Sequence, residues 1–386
     1  MMKGCQWEQD AGMLRDGQIT RILHQAALWP IGPTVQEVPL DDLDLLASLA
    51  RQHRISHVLS QWLAAGDVAV PATLSQDIRR DTIRAMAHAA LLARLLPLLL
   101  DDGVPALVLK GLPLAARLYG NGAARGVGDI DLLIDPLHLE RAHAVLLRWG
   151  FSPLFRIGPA ELRPMVKDAL YRAADGTILE LHWRLSTNRH VLPWHFADLW
   201  QARDMVPVFT ITLPALPPLH LTVYLAVHGL HHGWERLRWL ADIALRLNDH
   251  GHCREALALA DAAGVGAALR QAWWQVAASW GDDWAGPPAP APVGRTSWLC
   301  LLVRQHARCR HRPGFRAWIY LRVIETLLDL SVARGWRVTV EAVRLLFASQ
   351  SDHEETKVPG WCRPLLRPFL LLRRITRPDH VSRRGR

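Results

Sequence analysis

The chain has 386 residues, half of them hydrophobic, and 45 Lys and Arg against 36 Asp and Glu give it a formal charge of +9. That length allows two or three compact units with substantial cores, and the apolar content excludes general disorder. The positive balance suits an anionic partner without choosing among nucleotide, nucleic acid, acidic peptide and membrane surface. Five cysteines, at 5, 253, 300, 309 and 362, are scattered and form no CxxC, which argues against a disulfide scaffold and for a reducing compartment. The first residues, MMKGCQWEQDAGM, carry no signal-like apolar core. The apolar run 91–100 is interrupted by Arg94 and closed by Asp101 and Asp102, too short to span a bilayer. A soluble, cytoplasmic protein is the expectation.

Taken in order, residues 1–39 form an uninformative tail apart from a short helix over 17–27. Apolar spacing over 43–63 (Leu45, Leu46, Leu49, Ile55, Val58, Leu59, Leu63) predicts a helical face, divisible into two helices, and 74–100 a long helix. Residues 40–103 therefore read as a helical layer. A compact α/β core follows over 104–213: strand 104–109, helix 112–119, strand 129–134 and helix 136–149. Asp135 supplies that last helix with an N-cap and Pro136 with its first residue. An extended segment 169–173, a hairpin turn at Asp175-Gly176 and a strand 178–183 complete the core. This order predicts an α+β fold, a small mixed sheet flanked by N-terminal and C-terminal helical regions.

After a short helix 195–200 and a strand 209–213, residues 214–350 read as a helical domain with helices over 219–231, 235–247, 255–262, 269–280, 295–303, 320–331 and 338–348. The proline-rich GDDWAGPPAPAPVG is a loop within it. Residues 351–386 form a basic tail with eight arginines from 363 onward, read as a terminal helix and a solvated end. Few aromatics interleave with them, so a nucleic-acid surface is poorly supported.

The chemistry concentrates in VLKGLPLAARLYGNGAARGVGDIDLLI, residues 108–134. In a strand, positions i and i+2 share a face, so Asp129 and Asp131 project together while Ile130 enters the core. Adjacent carboxylates repel, and a divalent cation with bound phosphate oxygens would neutralise them. The alternating TILELHW, 177–183, puts Glu180 and His182 on one face and Leu179 and Leu181 on the other. If the two strands are neighbours, three acids converge. Gly111 lets backbone N–H groups approach phosphate at the start of a helix, and Lys110 offers charge to it. Arg125 suits either a triphosphate contact or a structural pair with an acid. His182 suits orienting Glu180 or a satisfied structural role. Among later residues, His228 shares a helical face with His231 and His232, and Trp234, Trp239 and Asp242 follow. No HExxH occurs, so zinc is disfavoured; His228 and Asp242 are secondary candidates.

These segments together, with ILELHWRL and LAVHGLHHGWERLRWLADIALRL, resemble the uncharacterised nucleotidyltransferase family of bacteria, a divergent branch of the DNA-polymerase-beta-like nucleotidyltransferase superfamily. The resemblance covers about 40–345. It implies that Lys110 and Gly111 serve at the phosphate turn, that Asp129 and Asp131 hold magnesium, and that Glu180 completes the site. It implies a nucleoside triphosphate, ATP by preference, as co-substrate and a small-molecule or peptide acceptor of the kind found in natural-product pathways, beside whose genes family members occur. The superfamily's usual turn is Gly-Ser or Gly-Gly, whereas here it is Lys-Gly-Leu. Two other readings therefore stay open: a kinase-like phosphotransferase using the same carboxylates, and a non-catalytic peptide- or RNA-binding protein that retains the fold.

Overall fold

A computed structural model describes residues 15–34, 38, 42–155, 158–164, 166–310, 323–324, 326–328, 330–332 and 335–347. Part of the expected helix 320–331 and the whole basic tail lie outside them. Helices α1 (Arg15–Ala27), α2 (Leu43–His53), α3 (Ser56–Ala65) and α4 (Ala72–Asp101) precede the sheet. The periodic stretch 43–63 divides at Arg54, which takes the left-handed conformation that ends α2. The α4 helix is long and apolar enough to cross a membrane by length and composition. In this fold Leu92, Leu95 and Leu99 on it are buried against the sheet, and ion pairs Arg80–Asp77 and Arg84–Asp81 line its first half.

The sheet has seven strands: β1 (Ala106–Val108), β2 (Ile130–Ile134), β3 (Ser152–Pro153), β4 (Asp168–Arg172), β5 (Ile178–His182), β6 (Asp204–Val208) and β7 (Ile211–Ala215). Their spatial order is β3-β4-β5-β2-β1-β7-β6. The β2 strand runs antiparallel to β1 and parallel to β5, and β1 runs parallel to β7. This is the expected mixed sheet, widened at each end by a hairpin strand. The β6 strand has no sequence expectation behind it, because Pro207 breaks the apolar run. Phe209 takes up the β6–β7 turn instead of opening a strand, and β7 extends to Ala215, two residues past the expected limit of the core.

Every residue of β2 is buried, since helices cover both faces. Ile130, Leu132 and Ile134 enter a core shared with α4 and with Leu139, Val145 and Leu146 of α6 (Leu139–Arg148). Leu133, from the opposite face, enters a second core with the N-terminal helices and α9 (Pro218–His231). A five-residue strand buried on both faces tolerates an acid only where that acid has partners. Asp131 shares the Leu133 face. Asp135 caps the 3-10 turn leading into α6 by accepting from the Leu137 N–H at 2.8 Å.

Between β1 and β2 lies α5 (Leu112–Tyr119), with the bounds the sequence predicts. The short helices α7 (Pro159–Leu162) and α8 (Phe196–Gln201) fill connections. After α9 come α10 (Leu237–Arg246), α11 (His250–Ala262), α12 (Gly266–Trp280), α13 (Arg295–Arg310) and α14 (Trp336–Phe347). Trp234, fully buried behind α9, donates its indole N–H to Gln271 on α12 at 3.0 Å. Asn188 donates to the Val338 carbonyl at 3.0 Å, and Arg189 pairs with Glu341 at 2.9 Å, fastening α14 to the segment after β5.

Candidate active site

Parallel pairing of β2 with β5 sets Asp131 opposite Glu180, and Leu133 opposite His182. On β5 the side chains divide as alternation predicts: Leu179 and Leu181 go to the core beneath α4, while Glu180 and His182 face the other way. Asp131, Glu180 and His182 each offer a ligand atom within 4.8 Å of the others. The imidazole joins the two acids, its Nε2 lying 3.2 Å from Asp131 Oδ1 and 3.3 Å from Glu180 Oε2. Asp129 precedes β2 by one residue and lines the same cavity, outside that tight group.

Lys110 leaves the end of β1 and places Nζ 3.1 Å from Asp131 Oδ1. Gly111 follows with φ of 76° and ψ of −121°, a conformation nearly closed to other residues, and α5 starts immediately after it. The turn thus brings a lysine and a helix N-terminus to the acids.

Position sets the charges. Burial raises the proton affinity of Asp131, but Lys110 and His182 outweigh it and hold the carboxyl well below the usual range. Glu180 moves the other way, pushed up by burial and by Asp131 despite the histidine bond. Burial and Lys167 lower His182, yet its bonds to Asp131 and Glu180 leave it raised overall. Lys110 is likewise lowered by burial and raised further by Asp131, so it stays charged. Two facing carboxylates driven apart in proton affinity are an arrangement suited to acid–base division of labour.

These residues open into a cavity of about 390 Å³, which Lys110, Gly111, Arg125, Asp129, Asp131, Glu180 and His228 all line. His182 lies behind the acids and Asp242 beneath the floor. Arg125 lines the cavity while its Nε donates to Asp242 Oδ2 at 2.7 Å, both side chains buried, so the structural pairing is present. His228 is driven well toward its neutral form by burial and then by Lys110. Its Nε2 is buried without a hydrogen-bond partner among the described residues.

Sequence reasoning passed over Lys167, Asp168, Arg54, Glu235, Arg236 and Arg238, which also line the cavity. Lys167 Nζ lies 2.6 Å from Asp168 Oδ2, and Asp168 pairs across the β4–β5 hairpin with His182. Counting equal numbers of residues back from Asp175-Gly176 would have found Asp168. The arginines come from helix ends remote in sequence and carry no such signal.

The sheet and its cavity lie within a nucleotidyltransferase family domain, and the buried acid–histidine group could bind a metal. Residues 39–281 match the profile of the family described as uncharacterised nucleotidyltransferase, and this chain belongs to that family. No curated protein matches the sequence.

Proposed function

We propose that the chain transfers a nucleoside monophosphate from a nucleoside triphosphate, ATP by preference, to a hydroxyl of a small-molecule or peptide acceptor, with release of pyrophosphate. The observation that carries this reading is the register of β2 on β5, which faces Asp131 with Glu180 at a cavity rimmed by Lys110 and Lys167. Membership of the DNA-polymerase-beta-like branch, with Asp129, Asp131 and Glu180 as its three acids, belongs to the same proposal. So does a cytoplasmic setting.

The donor set fits a divalent cation. Carboxylate oxygens are hard ligands suited to magnesium, and the positive charge that Lys110 and His182 now give Asp131 is what an ion would share. Asp131 and Glu180 would hold it, with Asp129 completing the set from the edge of β2. When bound, magnesium neutralises phosphate charge and lowers the barrier to attack at phosphorus. Lys110 and the N-terminus of α5 bind the phosphates through Nζ and backbone N–H groups. His182 fixes both carboxylates from behind. The acceptor oxygen bonds to the α-phosphorus as the bond to the β-phosphate oxygen breaks. Glu180, the more open of the two carboxylates, receives the hydroxyl proton.

Mass spectrometry of acceptor panels incubated with magnesium and labelled triphosphates tests the reading. A nucleotidylated acceptor with pyrophosphate is expected. A phosphorylated acceptor with nucleoside diphosphate would instead establish the kinase-like chemistry that the Lys-Gly-Leu turn leaves open. Triphosphate binding that needs no metal and is unchanged in Asp129→Asn with Asp131→Asn would reject the site.

A further inference from the structure

The cavity has a second end, built by residues that the transfer chemistry does not use. His53, the last residue of α2, accepts the Leu237 N–H at Nδ1 over 3.3 Å, which joins the end of α2 to the start of α10. The next residue of the first segment is Arg54, and the residue before Leu237 is Arg236. Both line the cavity. Neither has a carboxylate within ion-pairing distance among the described residues, although Lys110, Lys167 and Arg125 each have one. Burial and then Arg236 weigh against the Arg54 charge, while Asp129 and Asp81 oppose them only from beyond ion-pairing distance, so an anion seated between the two guanidiniums would relieve their repulsion.

The local construction supports the same conclusion. Arg54 sits at φ 56° and ψ 43°, the left-handed C-cap position where glycine is customary and where a side chain costs about 1 kcal/mol. Its guanidinium lies against Gly128: a Cβ there would come within 2.4 Å of Nη1. Gly128 precedes Asp129, so the guanidinium reaches the acidic side of the cavity. Arg236 stacks over Trp239 at 5.3 Å, and His232 packs on the same ring at 4.9 Å. Arg236 is also the N-cap of α10, and because His53 takes the first N–H of that helix, the Arg236 side chain makes no cap bond of its own. Arg238 is held behind them by bonds to the Arg125 and Gly126 carbonyls at 2.9 and 2.6 Å.

We infer that Arg54 and Arg236, at the N-terminus of α10 and beside Trp239, form an oxyanion-binding subsite that takes a phosphate or carboxylate group of a co-substrate. The subsite stands on the cavity alone, so it holds or fails separately from the transfer reaction.

Titration calorimetry with inorganic pyrophosphate, on metal-stripped full-length protein at low salt, tests it. Arg54→Gln and Arg236→Gln should each weaken binding about tenfold, the loss of one charge-assisted contact. Arg54→Gly should lose the same affinity with an equal or higher melting temperature, since glycine suits the left-handed position. Gly128→Ala keeps every charge but displaces the guanidinium, and should weaken binding at least threefold. Arg172→Gln, at the far end of β4, controls for net charge. Losses under threefold in both arginine variants, or an equal loss in Arg172→Gln, would overturn the subsite. So would wild-type affinity in Gly128→Ala. A non-hydrolysable triphosphate that displaces pyrophosphate assigns the subsite to the nucleotide, and simultaneous binding assigns it to the acceptor. Either result sustains it.

Discussion

Asp131 and Glu180 face each other across two parallel strands, one carboxyl held strongly acidic and the other eased toward its protonated form. The contrast arises from partners. Lys110 and His182 both reach Asp131, whereas Glu180 has the histidine alone and a more open position. Removing either acid should therefore have distinct consequences.

Asp131→Asn should reduce transfer by a thousandfold or more. It also strands Lys110 and His182, so a loss of about 3 kcal/mol in stability is expected, the usual scale for breaking a buried pair. Glu180→Gln should impair turnover strongly at a smaller stability cost, because Glu180 retains 23% side-chain exposure. Denaturant unfolding beside product assays checks both. Equal stability losses would contradict the assigned partners.

At Gly111 a substitution tests the turn itself. Alanine there meets only Val127 Cγ1, at 4.0 Å, so space is not the obstacle. The obstacle is a φ of 76° with ψ of −121°, which should cost about 1–3 kcal/mol or move the start of α5. We expect weaker triphosphate binding by calorimetry and a lower melting temperature. A variant indistinguishable from wild type would show that the backbone there bears no strain.

The Arg125–Asp242 pair is buried at 3% and 0% side-chain exposure, so its members are strongly coupled. Asp242→Ala should destabilise by about 3–5 kcal/mol, and Arg125→Met with Asp242→Leu should recover much of that loss. A double-mutant cycle by urea unfolding measures the coupling. Additive losses would mean that the two side chains act independently.

Acid stability should respond to His24. Burial depresses its pKa from 6.5 to about 4, against a weaker opposing bond to the Ser279 carbonyl. Above pH 6.5 both folded and unfolded chains carry it neutral, and it adds no pH dependence. Between about 6.5 and 4 only the unfolded chain takes the proton, so stability falls as pH drops, by up to about 1.4 kcal/mol per pH unit. His24→Gln should flatten the stability profile between pH 6 and 5 by that amount. An unchanged slope would remove His24 from the account.

Much of this architecture could be read from residue order because it is local. The helix 112–119 is bracketed by Gly111 and Gly120, and Asp135-Pro136 announces the turn into α6. Alternation in β5 put Glu180 and His182 on one face before any partner strand was known. What alternation could not supply was the neighbour. That β2 lies beside β5, with Asp131 level with Glu180, depends on non-local pairing. Arg54 and Arg236 were hidden for the same reason, since 182 positions separate them and a bond from the Leu237 N–H to the His53 imidazole joins the helix ends that carry them. Asp242, an acid among leucines, called for either a histidine or arginine partner or a place in the cleft; which of these it takes, a pair with Arg125, rests on a residue 117 positions away.

Lys110 has a consequence for how the protein tolerates chelation. An ammonium already seated on Asp131 acts as a resident stand-in for an incoming ion, relieving the core of the repulsion that bare acids would otherwise impose. Folding and metal occupancy should thus be uncoupled: stripping divalent ions should abolish turnover while shifting the melting temperature by no more than a degree or two. Replacing the lysine with methionine should reverse that independence, leaving a fold that a divalent ion visibly steadies.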